Sequence, residues 1–327
     1  MNVTIIKPGL STTVQDAGRP GHAALGVGRS GAMDGPAWRL ANALVGNRNG
    51  EAALECTLLG PTLRFARDAV IAVTGAPIEA TVDGQRIGLW SPCRICAGSV
   101  LQLGRMSVGC RSYLAVRGGF GEPPVLGSRS SDQHAGIGFA LGRALRADDV
   151  VPIGDSTSAD WPGGTKGIGT LGWSLDPQPW FDFARQPLGL LPGRHAPLLD
   201  DDSQRLLHGG SFILSQDSNR TASRLDGHTL FLRERLELIS EATLPGTLQL
   251  PPSGQPIALL AEAPVTGGYP RIGQVAAVDL PRLGQRRPGD TVCFRPTTLA
   301  QAMTRLADRE RRLGHLIQTI TQRLRQS

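Results

Sequence analysis

Apolar and polar residues alternate through much of the first third of the chain, and a period of two marks a half-buried strand. Residues 3–6 open with such a run. After a polar, glycine-rich stretch the pattern returns at 53–57, 62–65, 69–73, 78–82, 99–103 and 112–116. Gly60-Pro61, Asp83-Gly84 and Ala97-Gly98 punctuate it as turns. Short strands at near-regular spacing predict a barrel or sandwich rather than βαβ units. A second set follows at 211–214, 229–239, 246–250, 256–262 and 290–294. Two barrels of similar plan are the economical reading of a mainly β chain with a few helices.

The helical period appears three times. Asp34 is suited to cap a helix over 34–45, with Pro36 in the first turn and Gly46 just past the end. Trp38, Ala41, Leu44 and Val45 then share one face. A short helix is predicted over 202–207, stopped by Gly209. A long one is predicted over 297–325, where Leu299, Met303, Leu306, Leu313, Ile317, Ile320 and Leu324 keep a spacing of three to four. The expected domains are therefore 1–154, a β subdomain carrying the glycine-rich loop and first helix, and 188–296, a second β subdomain. A connecting segment, 155–187, joins them, and a basic amphipathic helix, 297–327, ends the chain. Trp161, Trp173, Trp180, Phe181 and Phe183 argue that the connection packs rather than floats.

Composition changes this picture little. The chain has 327 residues, Gly 42, Pro 24 and 5% aromatics, which agrees with many turns and short strands. Its formal charge of +6 is concentrated at the end, where six arginines from Arg305 to Arg325 face only Asp308 and Glu310. A nearly neutral body with a basic tail makes a weak case for a nucleic-acid binder, which wants a basic face with interleaved aromatics. The arginine-rich face of the last helix is expected to be solvated. No apolar run reaches about 18 residues and no leader pattern opens the chain, so a cytoplasmic protein away from membranes is expected. Five scattered cysteines make no disulfide framework, and Cys93-Arg-Ile-Cys96 is a lone CxxC without a second pair.

Familiar motifs fail their context tests. Gly26-Val-Gly28-Arg-Ser-Gly31 matches GxGxxG, but a dinucleotide loop needs a buried strand before it and a βαβ continuation. Lys166 lies in no phosphate-binding loop, no GxSxG elbow exists, and the six histidines form no ligand pair, so no metal is expected. What remains is a set of polar knots among glycines. Gln15, Asp16, Arg19, Ser30 and Asp34 lie around the first loop. Arg117, Gly118 and Gly119 form a second knot, and Ser128, Arg129 and Asp132 a third. Ser218, Asn219 and Arg220, then Thr266, Gly267, Gly268 and Tyr269, complete the set. Arginine can hold a carboxylate or phosphate bidentately and glycine amides can add an anion nest. Asp16 and Asp34 suit acid–base work and equally suit turn caps.

In order along the chain stand Thr12-Thr-Val-Gln-Asp16-x-Gly-Arg19, Ser30-Gly-Ala-Met-Asp34, Ala41-Asn42-x-Leu-Val-Gly-Asn47, Leu54-Glu55-x-Thr57-x-x-Gly60-Pro61 and Val73-Thr-Gly-Ala76. They are followed by Ala115-Val-Arg-Gly-Gly119, Val125-Leu-Gly-Ser-Arg-Ser130-x-Asp132, Ser218-Asn-Arg220 and Thr266-Gly-Gly-Tyr-Pro270. With these phrases the chain resembles the family of 5-oxoprolinase C subunits, also called allophanate hydrolase subunit 2 or carboxyltransferase subdomain A and B proteins. The resemblance implies two cyclophilin-like β-barrel subdomains. It also implies an active site shared with a partner like the 5-oxoprolinase B subunit, with an A-type protein in the fuller assembly. The implied activity is ATP-dependent opening of 5-oxoproline, a cyclic amide, to glutamate, with the chain inactive alone. Relatives supply the carboxyltransferase part of biotin-dependent urea carboxylase, and one is described as a regulator that counters a kinase-inhibitor protein. Within this resemblance Asp16, Arg19 and Asp34 are the expected catalytic residues and the other knot residues the expected substrate contacts. Two loops depart from the family pattern: Thr221-Ala-Ser replaces the usual Met-Gly-x before Arg224, and Pro264-Val265 precedes Thr266. Neither Lys7, followed by Pro8, nor Lys166, followed by Gly167, has the context of a biotinylated lysine, so no biotin is expected on this chain.

Overall fold

A computed structural model describes residues 2–121, 123–154, 167–182, 184–234, 236 and 238–326. The chain divides into two compact units. The first comprises Met1–Arg19, Asp34–Phe183 and Leu313–Ser327; the second comprises Pro20–Met33 and Ala184–Arg312. The glycine-rich opening stretch is therefore divided between them.

The first unit is built from strands β1 (Asn2–Lys7), β2 (Ser11–Gln15), β3 (Ala53–Thr57), β4 (Thr62–Phe65), β5 (Ala69–Gly75) and β6 (Ile78–Val82). It continues with β7 (Gln85–Arg86), β8 (Pro92–Ile95), β9 (Val100–Met106), β10 (Arg111–Val116), β11 (Val150–Pro152) and β12 (Gly169–Thr170). Two six-stranded sheets result, in the orders β11-β1-β4-β9-β6-β7 and β12-β8-β5-β10-β3-β2. Val3, Ile5, Leu63 and Phe65 of one sheet and Val14, Leu54, Ile71, Val73, Leu114 and Val116 of the other make one buried cluster.

Every residue of β5 and β10 is buried, although strands alternate their faces. The second covering is helix α1 (Gly35–Leu44), which contacts both strands. Val70 and Ala72 are buried outside the main cluster, on the alternate face. Helix α1 begins as the sequence predicts. The Asp34 carboxylate accepts the Ala37 N–H at 3.1 Å, Pro36 lies in the first turn, and Gly46 takes a φ of +74° after the last turn. Thr74 Oγ1 donates to Ala37 O and ties the helix to β5.

The second unit is a closed barrel. Its strands are β13 (Leu188–Pro192), β14 (Ser211–Leu214), β15 (Ala222–Asp226), β17 (Thr247–Gln249), β18 (Ile257–Leu259), β20 (Arg271–Val275) and β21 (Thr291–Pro296). The order is β13-β20-β17-β18-β15-β14-β21, and the parallel β13–β21 pair closes the ring. Leu188, Leu190, Phe212, Leu225, Leu248, Ile272, Val292 and Phe294 belong to its core, which Met33 joins from the Pro20–Met33 segment. A small hairpin, β16 (Glu241–Ala242) with β19 (Thr266–Gly267), stands apart from the barrel order. Helices α2 (Asp201–Gly209) and α3 (Leu280–Gly284) accompany it. The long helix α4 (Leu299–Gln326) belongs to the second unit as far as Arg312 and to the first from Leu313. Asp279 receives both guanidinium nitrogens Nη1 and Nη2 of Arg305, at 2.8 and 2.6 Å.

Some expectations need correction. Residues 229–239 form no strand among those described; β15 takes the place in the barrel, and Leu232 contributes only an isolated bridge to Leu199. Alternation there gave the pattern of a strand without a vacant edge to join. Strands β2, β13 and β20 carry too little alternation to stand out in the sequence. In the expected connection, β12 pairs with β8 and Phe181 joins the first unit's core. Trp161, Phe183 and Lys166 lie outside the described residues.

Candidate functional site

In the first unit the knot at Gln15–Arg19 meets the one at Ser128–Asp132. Asp16 is the hub. Its carboxylate accepts from Ser128 Oγ at 2.5 Å, Ser130 Oγ at 2.6 Å, Arg129 N at 2.6 Å and Gly18 N at 2.8 Å. Four donors occupy both oxygens of a buried side chain. Gln15 Nε2 donates to Thr13 Oγ1 and to Ser131 O, each at 3.0 Å. The Arg19 guanidinium, 1% exposed, donates to Ser130 O and lies 4.0 Å from Asp132. Asp132 accepts the His134 and Ala135 N–H groups, and so turns the chain as well. Three of the donors to Asp16 share Oδ1, and Oδ2 takes the Arg129 N–H.

Asp34 belongs to a second buried chain of polar groups. Its N–H donates to Tyr113 Oη at 2.7 Å, and that hydroxyl donates to Glu55 Oε2 at 2.7 Å. Arg111 Nε is 3.5 Å from Glu55. Burial pushes the Tyr113 phenol well above its ordinary range, and the Glu55 and Asp34 carboxylates push it further. Tyr113, Glu55 and Arg111 do not stand out in the sequence as site residues because β10 and β3 read as plain strand. The one signal is a rare tyrosine close to an arginine in apolar text.

The Arg117–Gly119 turn is held from α1's end. Asn47 Oδ1 accepts the Gly118 N–H at 2.7 Å, Asn47 Nδ2 donates to Val116 O, and the Gly119 N–H goes to Val116 O. Glu51 joins these parts. Its carbonyl accepts from Trp38 Nε1 and Asn42 Nδ2, and its carboxylate is 3.8 Å from Arg129 Nη1. A Cβ on Gly119 would stand 2.7 Å from Glu51 Oε2. Glycine is therefore needed there for both space and its φ of +71°.

In the second unit Arg220 is the organiser. Its Nε donates to Glu262 Oε1 at 2.6 Å and its Nη2 to Gly31 O at 2.7 Å, all buried. Ser30 precedes that carbonyl at a φ of +53°, a conformation that costs a non-glycine residue about 1–2 kcal/mol. Asn219 Oδ1 accepts the Thr221 and Ala222 N–H groups, and Ser218 Oγ accepts the Arg224 N–H, so both shape the β14–β15 turn. Thr266 and Gly267 pair with Ala242 and Glu241, and a Cβ on Gly267 would approach Gln249 Nε2 to 2.6 Å. Gly268 follows, and Tyr269, 45% exposed, lines a cleft of about 310 Å³ with Asp217 and Arg224. The first unit has a cleft of about 590 Å³ along β6, between Glu79, Arg86 and Arg105, and none of the sequence-chosen residues lines it.

Two of the buried thiols, Cys56 and Cys93, point away from nucleophilic chemistry. Burial pushes Cys56 up to about 12 and Cys93 up to about 11, so neither is a thiolate near neutrality. Among the described residues no group of three His, Cys, Asp or Glu side chains gathers to hold a metal ion, and no helix is long and apolar enough to cross a membrane.

The paired sheets, the barrel and these knots define a carboxyltransferase-type chain: residues 25–296 match the family described as carboxyltransferase domain, subdomain A and B, and the chain belongs to it. Within that family it is similar to the C subunit of 5-oxoprolinase from Escherichia coli, 39% identical over 309 residues that cover 94% of this chain and 95% of the relative. The corresponding C subunit from Haemophilus influenzae is 37% identical, covering 89% of each. Among solved structures it resembles the Kluyveromyces lactis urea carboxylase, with a TM-score of 0.84 and 27% identity. That match covers 98% of this chain and 29% of the larger protein.

Proposed function

We propose that this chain is the C subunit of an ATP-dependent 5-oxoprolinase, a hydrolase complex that opens the lactam of 5-oxoproline to glutamate. The observation that carries the reading is the end-to-end match to two bacterial proteins of that name, which leaves neither chain with a large unmatched part. A protein so named works with others. We assign it a partner of the 5-oxoprolinase B type that completes the site, an A-type protein in the full assembly, and a cytoplasmic setting.

The Gly118–Gly119 turn does not suit the phosphates of ATP. The Gly118 and Gly119 amides, which would make an anion nest, already donate to Asn47 and Val116. Nucleotide handling therefore falls to a partner. Asp16, Arg19 and Asp34 act here as positioning residues: Asp16 and Arg19 fix the Ser128–Asp132 loop, and Asp34 starts α1. Arg117 and Arg129 are the cations that the first unit offers to a carboxylate such as that of 5-oxoproline. Within the second unit by itself, Ser30, Ser218, Asn219 and Thr266–Tyr269 are the polar groups offered to a substrate. Half of a composite site leaves almost no turnover, because each tenfold loss corresponds to about 1.4 kcal/mol.

Co-expression with A-type and B-type 5-oxoprolinase proteins, followed by glutamate release from 5-oxoproline with and without ATP, tests the proposal. ATP-dependent release by the assembled complex, and none by this chain alone, is expected. A verified complex that releases no glutamate overturns it. The structural match to urea carboxylase favours one second reading, carboxyl transfer from carboxybiotin to urea or a similar amide. Carboxylation of urea in the presence of a biotinylated partner would select it.

A further inference from the structure

The cleft of about 310 Å³ on the second unit lies outside the buried Arg220 assembly. Strand β15 produces its charged wall. Ser223 and Leu225 turn into the barrel and are buried, so Arg224 and Asp226 stand together on the outer face. Residues two apart on a strand are about 7 Å apart, which leaves room for a small group between their tips. Asp217, on the turn that Ser218 and Asn219 shape, adds a second carboxylate, and Tyr269 adds a half-exposed ring.

Among the described residues the side chains of Asp217, Arg224 and Asp226 make no hydrogen bond or ion pair. Exposed charges left to water are ordinary, and alone they would mean nothing. Here they border one concavity that carries both signs of charge. The cleft thus offers one cation, two anions and an aromatic face.

We propose that this cleft binds a free α-amino acid, its carboxylate on Arg224 and its ammonium on Asp226 or Asp217. Both charges are required on one small molecule. A peptide terminus supplies only one of them, and a dicarboxylate without an ammonium would meet the two aspartates with the wrong sign. The choice of L-glutamate as one probe rests on the 5-oxoprolinase reading; glycine, the other probe, does not depend on it.

The test uses the full chain without partners or ATP. Glycine and L-glutamate are titrated by calorimetry and by ¹⁵N–¹H spectra. Saturable binding of at least one is expected, with shifts confined to the amides around 215–226, 251–257 and Tyr269. N-acetylglycine and glycine methyl ester, each lacking one charge, should bind at least tenfold more weakly. Arg224→Gln and Asp226→Asn should each weaken binding at least tenfold while the melting temperature holds. The proposal is overturned by absence of saturable binding, by shifts elsewhere, or by equal affinity for the single-charge analogues. Should a variant lose its fold, the analogue series on the native chain decides. Because no turnover is measured, failure here leaves the 5-oxoprolinase reading standing, and failure of that reading leaves this result standing.

Discussion

Ser130 Oγ both receives and gives a hydrogen bond with Asp16: it accepts the Asp16 N–H at 2.9 Å and donates to Asp16 Oδ1 at 2.6 Å. The two residues lie 114 positions apart in the chain. Through this exchange a glycine-rich turn near the start is fastened to a loop from the middle, and Ser128 and the Arg129 N–H complete the fastening.

The first prediction follows from counting donors. Ser130→Ala removes one bond to the Asp16 carboxylate and one to its N–H, yet leaves that carboxylate with three donors, a loss of about 1–2 kcal/mol. Asp16→Asn is worse, because an amide nitrogen must face hydroxyl or N–H donors where an acceptor stood. About 2–4 kcal/mol is expected. Urea denaturation of the two variants measures both, and an Asp16→Asn protein as stable as the native chain would show that the hub does not hold the loop.

Tyr113→Phe carries the second prediction. The change keeps the ring but removes the hydroxyl that serves the Asp34 N–H and the Glu55 carboxylate, both buried. Depriving two buried polar groups of that partner costs about 2–4 kcal/mol, well above the loss of one exposed hydroxyl. Asp34→Ala, which removes the helix cap but leaves that N–H in place, should cost about 1 kcal/mol. The order of the two melting temperatures is the check.

Much of the fold was legible because local chemistry decided it. Asp34, Pro36 and Gly46 marked α1 within a residue at each end, and 53–57, 62–65 and 78–82 stood out by alternation alone. The fate of residues 229–239 was not legible, since barrel closure depends on which strand finds an open edge. Nor were the partners of Asp16, Ser128 and Ser130, which lie more than 100 residues away in the chain. Glu55 and Tyr113 were hidden for the opposite reason: each sits in a run whose apolar neighbours announced only a strand.

The third prediction concerns acid. His195 is held below its ordinary value of 6.5, first by burial and then by the Arg271 and Arg194 cations, and its Nδ1 accepts the Arg271 N–H at 2.9 Å. The folded protein thus prefers the neutral ring. Below pH 6.5 the unfolded chain binds a proton that the folded one resists, so stability is full above that pH and declines as pH falls through the lowered folded value. His195→Gln should flatten this part of the profile while losing some stability at pH 8. His208, lowered by burial in the same direction, leaves a residual slope. Denaturant midpoints between pH 8 and pH 5 give the comparison, and an identical slope in native protein and variant would contradict it.

The fourth prediction separates the two services of Arg220, which balances Glu262 and tethers Gly31. Glu262→Gln leaves a guanidinium buried with its charge unbalanced, and breaking a buried pair from one side costs about 3–5 kcal/mol. Arg220→Met strands the carboxylate instead and should cost a similar amount. In the double variant Arg220→Met, Glu262→Leu both desolvation penalties vanish, so most of the stability returns. The tether does not return. Gly31 O keeps no donor from Arg220, and Ser30 loses the contact that helps hold its left-handed backbone. Limited proteolysis should therefore cut within residues 20–33 of the double variant faster than in the native chain, at equal global stability. Cleavage at the native rate would mean that the segment is held by Met33 in the core, and that Arg220 serves the ion pair alone.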